Sequence, residues 1–169
     1  MSVIVGIGIG ASGAAAVDHV DGAIDEIRAL WPVLAVSRRY ANPPWGGVTR
    51  APFVNAAALV EADVPASTVL MQLFAIERRH GRLRGVRNAA RTLDLDVLWS
   101  SGRPSSSSSS SSLAPVVPHA RLLQRGFAVI PLMEAMERAG LPVPHTIRMA
   151  AATAQLRPPL MALPAVGLR

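Results

Sequence analysis

The sequence predicts an α+β fold in which helices cover one antiparallel sheet, and three observations support this prediction. Apolar or alternating runs of strand length lie at 3–10, 33–40, 52–61 and 91–99. Helical periods occupy 14–30 and 65–80. Glycine and proline mark the boundaries between these elements. The resulting order βαββαβ, with added C-terminal elements, is typical of a ferredoxin-like sandwich.

Composition limits the class of protein. A chain of 169 residues, half of them apolar, fits one globular domain with a real core. We expect neither a spanning helix nor a signal peptide, because the sequence lacks the apolar runs that define them. The absence of cysteine excludes disulfides and thiolate chemistry and agrees with a cytoplasmic location.

The charge balance suggests an anionic partner. All 17 basic residues are arginine, and the formal net charge is +6. The planar guanidinium group matches phosphate oxygens better than the mobile point charge of lysine does. An alanine-rich, arginine-only chain is equally consistent with a genome rich in G and C.

The first predicted strand carries a glycine motif. Gly8, Gly10 and Gly13 form G-x-G-x-x-G between a strand and a helix, which is the context of a dinucleotide fingerprint. The other interpretation is a strand whose glycines permit close packing. The helix at 14–30 follows, and Pro32 ends it.

A proline-rich loop and an asparagine follow. Residues 41–48 contain two prolines, two glycines and Trp45, so they form a loop. Trp45 there either covers the apolar core or supports a planar ligand. Asn55 interrupts the apolar strand at 52–61. Since a buried asparagine needs partners, it either bonds backbone or contacts a ligand edge.

The second predicted helix begins at Pro65, reaches about His80 and is followed by Gly81 in the usual C′ position. The densest group of cations in the chain surrounds this helix end: Arg78, Arg79, Arg82, Arg84, Arg87 and Arg91. This group indicates either a polyphosphate site, a nucleic-acid patch or a solvated basic loop.

Two aspartates stand on one side of the strand that follows. Asp94 and Asp96 alternate with Leu93, Leu95 and Val97, so their side chains point the same way. Their Cα atoms would lie roughly 6.5–7 Å apart, a spacing that suits oxygen ligation of divalent cations. The alternative is a strand whose polar face is simply solvated.

The C-terminal part is less regular. The polyserine tract at 105–112 predicts a flexible connection. The run 127–132 predicts a last strand, and 133–139 a short helix that Gly140 ends. A further helix is expected near 146–156. The sequence predicts a single domain over 1–140 and a C-terminal extension over 141–169 that could dock on it.

Several separated motifs together resemble the 6-hydroxymethyl-7,8-dihydropterin pyrophosphokinase family of folate biosynthesis, over about residues 37–139. The matching motifs are Pro43-Pro44, Phe53-Val54-Asn55, Glu77 with Gly81-Arg82-x-Arg84, Arg91-Thr92-Leu93-Asp94-Leu95-Asp96, Pro118-His119 and Arg125-Gly126-Phe127. The resemblance implies an ATP-dependent pyrophosphokinase that uses two Mg²⁺ ions, with ATP and the dihydropterin as its partners. It implies no nucleic acid and no membrane, and we expect a monomer.

The resemblance also implies roles for individual residues. Asp94 and Asp96 would hold the two Mg²⁺ ions, and the triphosphate would be contacted by Arg82, Arg84 and Arg91. His119 and Arg125 would bind ATP phosphates and ribose, while Glu77 would line the nucleotide site.

The pterin site is implied in the same way. Asn55 would hydrogen-bond the heterocycle between the rings of Phe53 and Phe127. One side would be closed by Pro43, Pro44 and Trp45.

Three departures from the family pattern keep alternatives open. They lie at 88–90, where a tryptophan-glycine-proline sequence is replaced, at the polyserine tract 105–112, and at Ala120. The alternatives are a divergent or inactive paralogue and a basic ferredoxin-like module that binds RNA or another polyanion.

Overall fold

The computed structural model describes residues 2–42, 53–82, 92–102, 115–155 and 160–164. Its strands are β1 Val3–Ser12, β2 Val33–Val36, β3 Tyr40–Asn42, β4 Phe53–Ala62, β5 Asp94–Ser100 and β6 Met161–Ala162. Its α-helices are α1 Ala16–Leu30, α2 Ala66–Arg79, α3 Gly126–Arg138 and α4 His145–Gln155, and a 3₁₀ turn covers Leu122–Gln124. The mixed α+β class is therefore confirmed.

One antiparallel sheet organises the chain. Its strand order is β5-β1-β4-β3-β6, and β2 pairs with β4 as well. β1 and β4 pair along their whole length, from Val3 opposite Ala62 to Ser12 opposite Phe53. With β5 on the other side of β1, this arrangement is compatible with the ferredoxin-like sandwich that the element order predicted.

The first face of the sheet carries a wholly apolar core. Val5, Ile7 and Ile9 of β1 are almost completely buried on this face. The helices α1 and α2 cover it with residues at helical spacing, among them Val20, Ile24 and Ile27 in α1 and Val69, Leu73 and Ile76 in α2. This face thus holds the two helices that periodicity predicted.

The second face of the sheet is covered by α3 and α4. A Cβ at Gly6 would lie 2.7 Å from Leu132 Cδ1, and one at Gly8 would lie 2.9 Å from Leu98 Cδ1. Glycine therefore lets these leucines pack directly on the β1 backbone. Gly10 is itself within β1, in an antiparallel sheet. The packing interpretation of the glycine motif accounts for these contacts, and the dinucleotide interpretation does not.

The predicted strand at 127–132 is wrong. These residues lie in α3, which continues through the predicted helix at 133–139 to Arg138, with Gly140 beyond it at a φ of +67°. Val129, Leu132 and Met136 recur on the buried side of α3 at helical spacing. A short apolar run cannot distinguish a buried helix from a buried strand, and this run was assigned to the wrong period.

The predicted strand at 33–40 is two strands, β2 and β3, and Ser37 lies between them. The Ser37 N–H donates to the Ala57 carbonyl at 2.9 Å, and Ser37 Oγ accepts from the Ala57 N–H at 2.9 Å. The side chain thus maintains contact with β4 where the regular ladder is interrupted.

The last elements pack against the rest of the fold. Ile147 and Ala151 of α4 are buried with the second-face core, and β6 pairs with β3. The predicted loop at 41–48 is wrong at its start, because Ala41 and Asn42 belong to β3. Its remaining residues, 43–48, and the polyserine tract at 105–112 lie outside the described residues. No helix within the described ranges is long and apolar enough to cross a membrane.

Candidate active site

A row of polar residues and glycine crosses the second face of the sheet. In the strand register, Tyr40 lies opposite Asn55, Asn55 opposite Gly10, and Gly10 opposite Asp94. Asp96 lies opposite Gly8, two residues along β1. Paired positions on neighbouring strands share a face. The sheet therefore brings Asn55 and the two aspartates to one surface from three strands, and we refer to this surface as the site face.

The two aspartates have the alternation that their spacing predicted. Leu95 and Val97 are buried in the first-face core, while Asp94 and Asp96 are only partly buried on the site face. Burial and then the neighbouring Asp94 carboxylate raise the pKa of Asp96, and the charges of His119, Arg125 and Arg82 act against this rise. Two carboxylates thus share one site, and a positively charged group is needed to offset the repulsion between them.

Arg82 is held between two carboxylates. Its Nη1 donates to Glu77 Oε1 and to Asp94 Oδ1. Glu77 is 1% exposed and also accepts the Leu95 backbone N–H at 2.8 Å, which ties the end of α2 to β5. Gly81 makes this possible, because its φ of +78° turns the chain back after α2. The buried Glu77 therefore fixes the guanidinium of Arg82 beside Asp94.

His119 approaches the site face from the edge of the sheet. The backbone N–H of His119 donates to the backbone carbonyl oxygen of Leu98 in β5 at 2.9 Å. Its Nδ1 accepts the Arg121 backbone N–H at 3.1 Å, so a neutral ring carries its proton on Nε2. Arg125 then precedes α3, and its guanidinium carbon lies 5.8 Å from the centre of the Phe127 ring.

The pterin-site prediction divides between described and undescribed residues. Asn55 is 7% exposed, and its Nδ2 donates to Asn42 Oδ1 at 2.5 Å. Phe53 precedes Asn55 by two residues in β4 and so shares the site face, and Phe127 is 38% exposed at the start of α3. The predicted pterin contacts Pro43, Pro44 and Trp45 lie outside the described residues, and so do the predicted triphosphate contacts Arg84 and Arg91.

Sequence reasoning missed Asn42. It was included in the proline loop, although it is the last residue of β3 and the hydrogen-bond partner of Asn55. Its position directly before the proline pair was the available signal, since a residue before proline favours an extended conformation.

Comparison with known proteins agrees with this geometry. The family model of 7,8-dihydro-6-hydroxymethylpterin-pyrophosphokinase matches residues 6–137. The chain belongs to this family. A pyrophosphokinase of Methylorubrum extorquens, named for 2-amino-4-hydroxy-6-hydroxymethyldihydropteridine, is 31% identical over 115 residues, which are 67% of this chain and 70% of the relative.

Two further relatives carry the same name. That of Haemophilus influenzae is 30% identical over 110 residues, 65% of this chain and 66% of its own length. That of Pseudomonas aeruginosa is 35% identical over 83 residues, 48% of this chain and 51% of its own. The family match begins within β1 and ends within the last turn of α3, so it includes the whole site face.

The donor set of this pyrophosphokinase fits Mg²⁺ bound together with a nucleotide. Within the described residues, no group of three His, Asp or Glu side chains is arranged to hold a metal ion. Mg²⁺ commonly takes only one or two carboxylates from a protein and completes its shell with water and phosphate oxygens. Asp94 and Asp96 supply such a pair. Burial and then the Asp94 carboxylate raise the pKa of Asp96, and a bound cation would oppose both effects.

Proposed function

We propose that the chain transfers a pyrophosphoryl group from ATP to 6-hydroxymethyl-7,8-dihydropterin in folate biosynthesis. The hydroxymethyl group loses its O–H proton to solvent as its oxygen forms a bond to the β-phosphorus. The bond from the β-phosphorus to the bridging α,β-oxygen breaks, and AMP leaves. The observation that carries this proposal is the site face, where Asp94, Asp96 and Asn55 lie together beside Arg82. Family membership supports the same reaction.

We assign the phosphate end of the site to the aspartates and the basic residues. Asp94 and Asp96 would hold two Mg²⁺ ions, which would neutralise phosphate charge and align the two substrates. Arg82 is already oriented by Glu77, so it can stabilise developing charge with little reorganisation. The role of Glu77 in this proposal is to position Arg82 rather than to touch the nucleotide.

The remaining phosphate contacts come from both sides of β5. His119 can donate its Nε2 proton to a phosphate oxygen, and Arg125 adds a positive charge near Asp96. Arg84 and Arg91 belong to the same proposal through their matching motifs. The arginines therefore serve ATP in this scheme and not a nucleic acid.

We assign the pterin end to Asn55 and the aromatic residues. Asn55 would bond the edge of the heterocycle, and Phe53 and Phe127 would enclose its plane. Pro43, Pro44 and Trp45 would close the open side, as their motif implies. Gly10 of β1 pairs with Asp94 of β5 on one side and with Asn55 of β4 on the other. Both substrates would therefore meet above β1.

The domain division and cellular setting complete the proposal. Residues 1–140 would form the catalytic domain, with the polyserine tract at 105–112 as a flexible loop, and 141–169 an extension docked on it. Contacts of α4 with α3 and pairing of β6 with β3 support docking. A monomer in the cytoplasm is the proposed working form, since ATP is the donor.

The reaction itself is the direct test. Purified protein is mixed with ATP, Mg²⁺ and 6-hydroxymethyl-7,8-dihydropterin, and AMP and pterin diphosphate are quantified by chromatography. We expect the two products in equal amounts, and neither when the pterin or Mg²⁺ is omitted. AMP no higher than background at saturating substrates would contradict the proposal.

A further inference from the structure

We propose that His19 and His80 form a binding site for one divalent transition-metal ion, such as Zn²⁺, where α1 meets the end of α2. The two Nδ1 atoms would be the ligands, and Glu26 would orient the His80 ring. The site uses neither Asp94 nor Asp96, so it is different from the proposed Mg²⁺ site. It also does not depend on the proposed pyrophosphoryl transfer.

One side of α1 accommodates the His80 ring. His19, Gly22 and Glu26 follow one another at spacings of three and four residues, so they share one side of the helix. An added Cβ at Gly22 would lie 3.0 Å from His80 Cε1, so glycine lets the ring approach the helix backbone closely. The side chain of His80, directly after α2, is only 14% exposed. The ring therefore lies against Gly22 and contacts both His19 and Glu26.

Hydrogen bonds determine where the neutral His80 ring carries its proton. His80 Nε2 lies 2.9 Å from Glu26 Oε1. Since an ionised carboxylate can only accept, His80 Nε2 carries the proton and His80 Nδ1 keeps its lone pair. His80 Nδ1 lies 3.0 Å from His19 Nδ1. When both rings are neutral, His19 Nδ1 must therefore supply the single proton between these two nitrogens.

A metal ion can take the place of that proton. Two Zn–N bonds of about 2.0–2.1 Å, meeting between a right angle and the tetrahedral angle, place their nitrogens about 2.8–3.4 Å apart. The observed separation of the two Nδ1 atoms, 3.0 Å, falls within this range. The ring planes are inclined at 65°, so modest ring rotations would direct both lone pairs at one ion. His19 would then carry its proton on Nε2 instead of Nδ1.

Glu26 strengthens His80 as a metal ligand. Histidine ligands of metals usually donate their other ring N–H to a carboxylate or carbonyl, which fixes the ring and makes the ligating nitrogen more basic. Arg79 Nε donates to Glu26 Oε2 at 2.6 Å, and Glu26 Oε1 faces His80. The carboxylate is thus held from both sides in the orientation that this role requires.

The ligand atoms determine the class of ion. Imidazole nitrogens suit Zn²⁺, Ni²⁺ and Cu²⁺, whereas Mg²⁺ prefers oxygen ligands. Among the residues with described positions, no third His, Asp or Glu joins this pair to form a larger ligand group. Water would fill the remaining positions, so we expect weaker binding than at a structural zinc site with four protein ligands. An ion held by both histidines would link α1 to the end of α2 and stabilise the fold.

Zinc titration by calorimetry tests the site at about pH 7.5, where protons compete less for the imidazoles. The tag-free reference protein carries Asp96→Asn, because Zn²⁺ can also bind the carboxylates of the site face. We expect it to bind Zn²⁺, with a thermal midpoint raised by roughly 5 °C at a hundredfold excess over Kd. Adding His19→Ala or His80→Ala should raise Kd at least about tenfold. The matched control is His145→Ala, which removes an exposed histidine at the start of α4 and should leave Kd unchanged.

Nitrogen NMR of the histidine rings identifies the ligands without altering either histidine. Zn²⁺ should shift the Nδ1 signals of His19 and His80 and leave those of His145 in place. This measurement decides the question even where an alanine variant fails to fold. Shifts confined to other rings would overturn the inference.

The other outcomes are equally decisive. If Zn²⁺ binds the unaltered protein and not the Asp96→Asn chain, the ion occupies the site face and the inference is wrong. Absence of binding by either protein at millimolar Zn²⁺ would mean that the histidine pair is only a hydrogen bond between two elements. Equal Kd values with and without His19→Ala would also overturn it. None of these results bears on the proposed function, which the formation of AMP and pterin diphosphate tests separately.

Discussion

The two faces of the central sheet use the same strands for different purposes. On the first face, β1 supplies Val5, Ile7 and Ile9, and α1 and α2 enclose them in an apolar core. On the second face, the alternate positions 6, 8 and 10 of β1 are all glycine. Between residues 5 and 10, β1 therefore contributes apolar side chains to the first face and none to the second.

The glycine positions change in role along β1. Gly6 lies under Leu132 of α3, Gly8 lies under Leu98, and Gly10 lies beside the Asn55 amide. The first two let apolar side chains reach the backbone, and the third is part of the site face. The second face thus passes from apolar core to the polar site face within five residues, while the first face stays apolar throughout.

Asp96→Asn should produce the largest effect, and it should affect catalysis alone. Loss of the carboxylate would remove a proposed Mg²⁺ ligand, so kcat should fall by roughly 10²–10³-fold or more. Pterin binding without ATP should remain, because in the proposed mechanism the metals serve the phosphates. The thermal midpoint should not fall, since ionised Asp96 is disfavoured in the fold, as its raised pKa shows. Near-normal turnover would refute the metal assignment.

Leu95→Ala, one residue away, should lower the stability of the fold and leave substrate binding intact. Leu95 is 1% exposed on the first face, and its truncation should lower the free energy of unfolding by about 2–5 kcal/mol. Urea unfolding measures this loss, and assays well below the melting temperature should show pterin binding retained. A loss below about 1 kcal/mol would mean that the first face tolerates cavities better than a close-packed core does.

Gly6→Ala tests the packing of Leu132 on the second face, and its expected loss of stability is smaller than that of Leu95→Ala. The new methyl group would lie 2.7 Å from Leu132 Cδ1, so we expect a loss of about 1–3 kcal/mol in unfolding free energy. Leu132→Ala in the same chain should recover part of this loss, because it removes the opposing atom. Strictly additive losses in urea unfolding would contradict the direct contact.

Glu134→Gln should have the smallest effect, and a pH-dependent one. Burial alone would raise the pKa of Glu134, but hydrogen bonds from Tyr40 and from the Arg38 backbone and side chain, with the Arg38 charge, lower it overall. An acid with a lowered pKa stabilises the fold where it is ionised, and this stabilisation is lost as pH falls through the lowered pKa. The substitution should therefore cost about 1 kcal/mol at pH 7 and progressively less below about pH 4.

The measurement is urea unfolding of both proteins across this pH range. The stability difference between them should shrink as the solution becomes acidic. A difference that stays constant from pH 7 to pH 3 would show that hydrogen-bond geometry, and not the charge of Glu134, holds α3 to Tyr40 of β3 and to Arg38.

The sequence was most informative in segments where the hydrophobic residues follow a single period, either helical or alternating. The helical spacing of Val20, Ile24 and Ile27 and the alternation around Asp94 and Asp96 each survive in the structure, because burial on one face imposes that period directly. The run at 127–132 was wrongly predicted as a strand, because an apolar segment buried on several sides shows no alternation of apolar and polar residues. The family resemblance, confirmed by the match over residues 6–137, came from several motifs in order.

Local patterns in the sequence were enough to predict the α+β class, the face shared by the two aspartates and the family. The folded chain was needed to show that Gly10 lies between Asn55 and Asp94, that Asn42 bonds Asn55, and that Glu77 holds Arg82. The physical reason is the range of the interactions. Period and side-chain type are local properties, whereas strand register and hydrogen-bond partners depend on residues distant in the chain that meet only after folding.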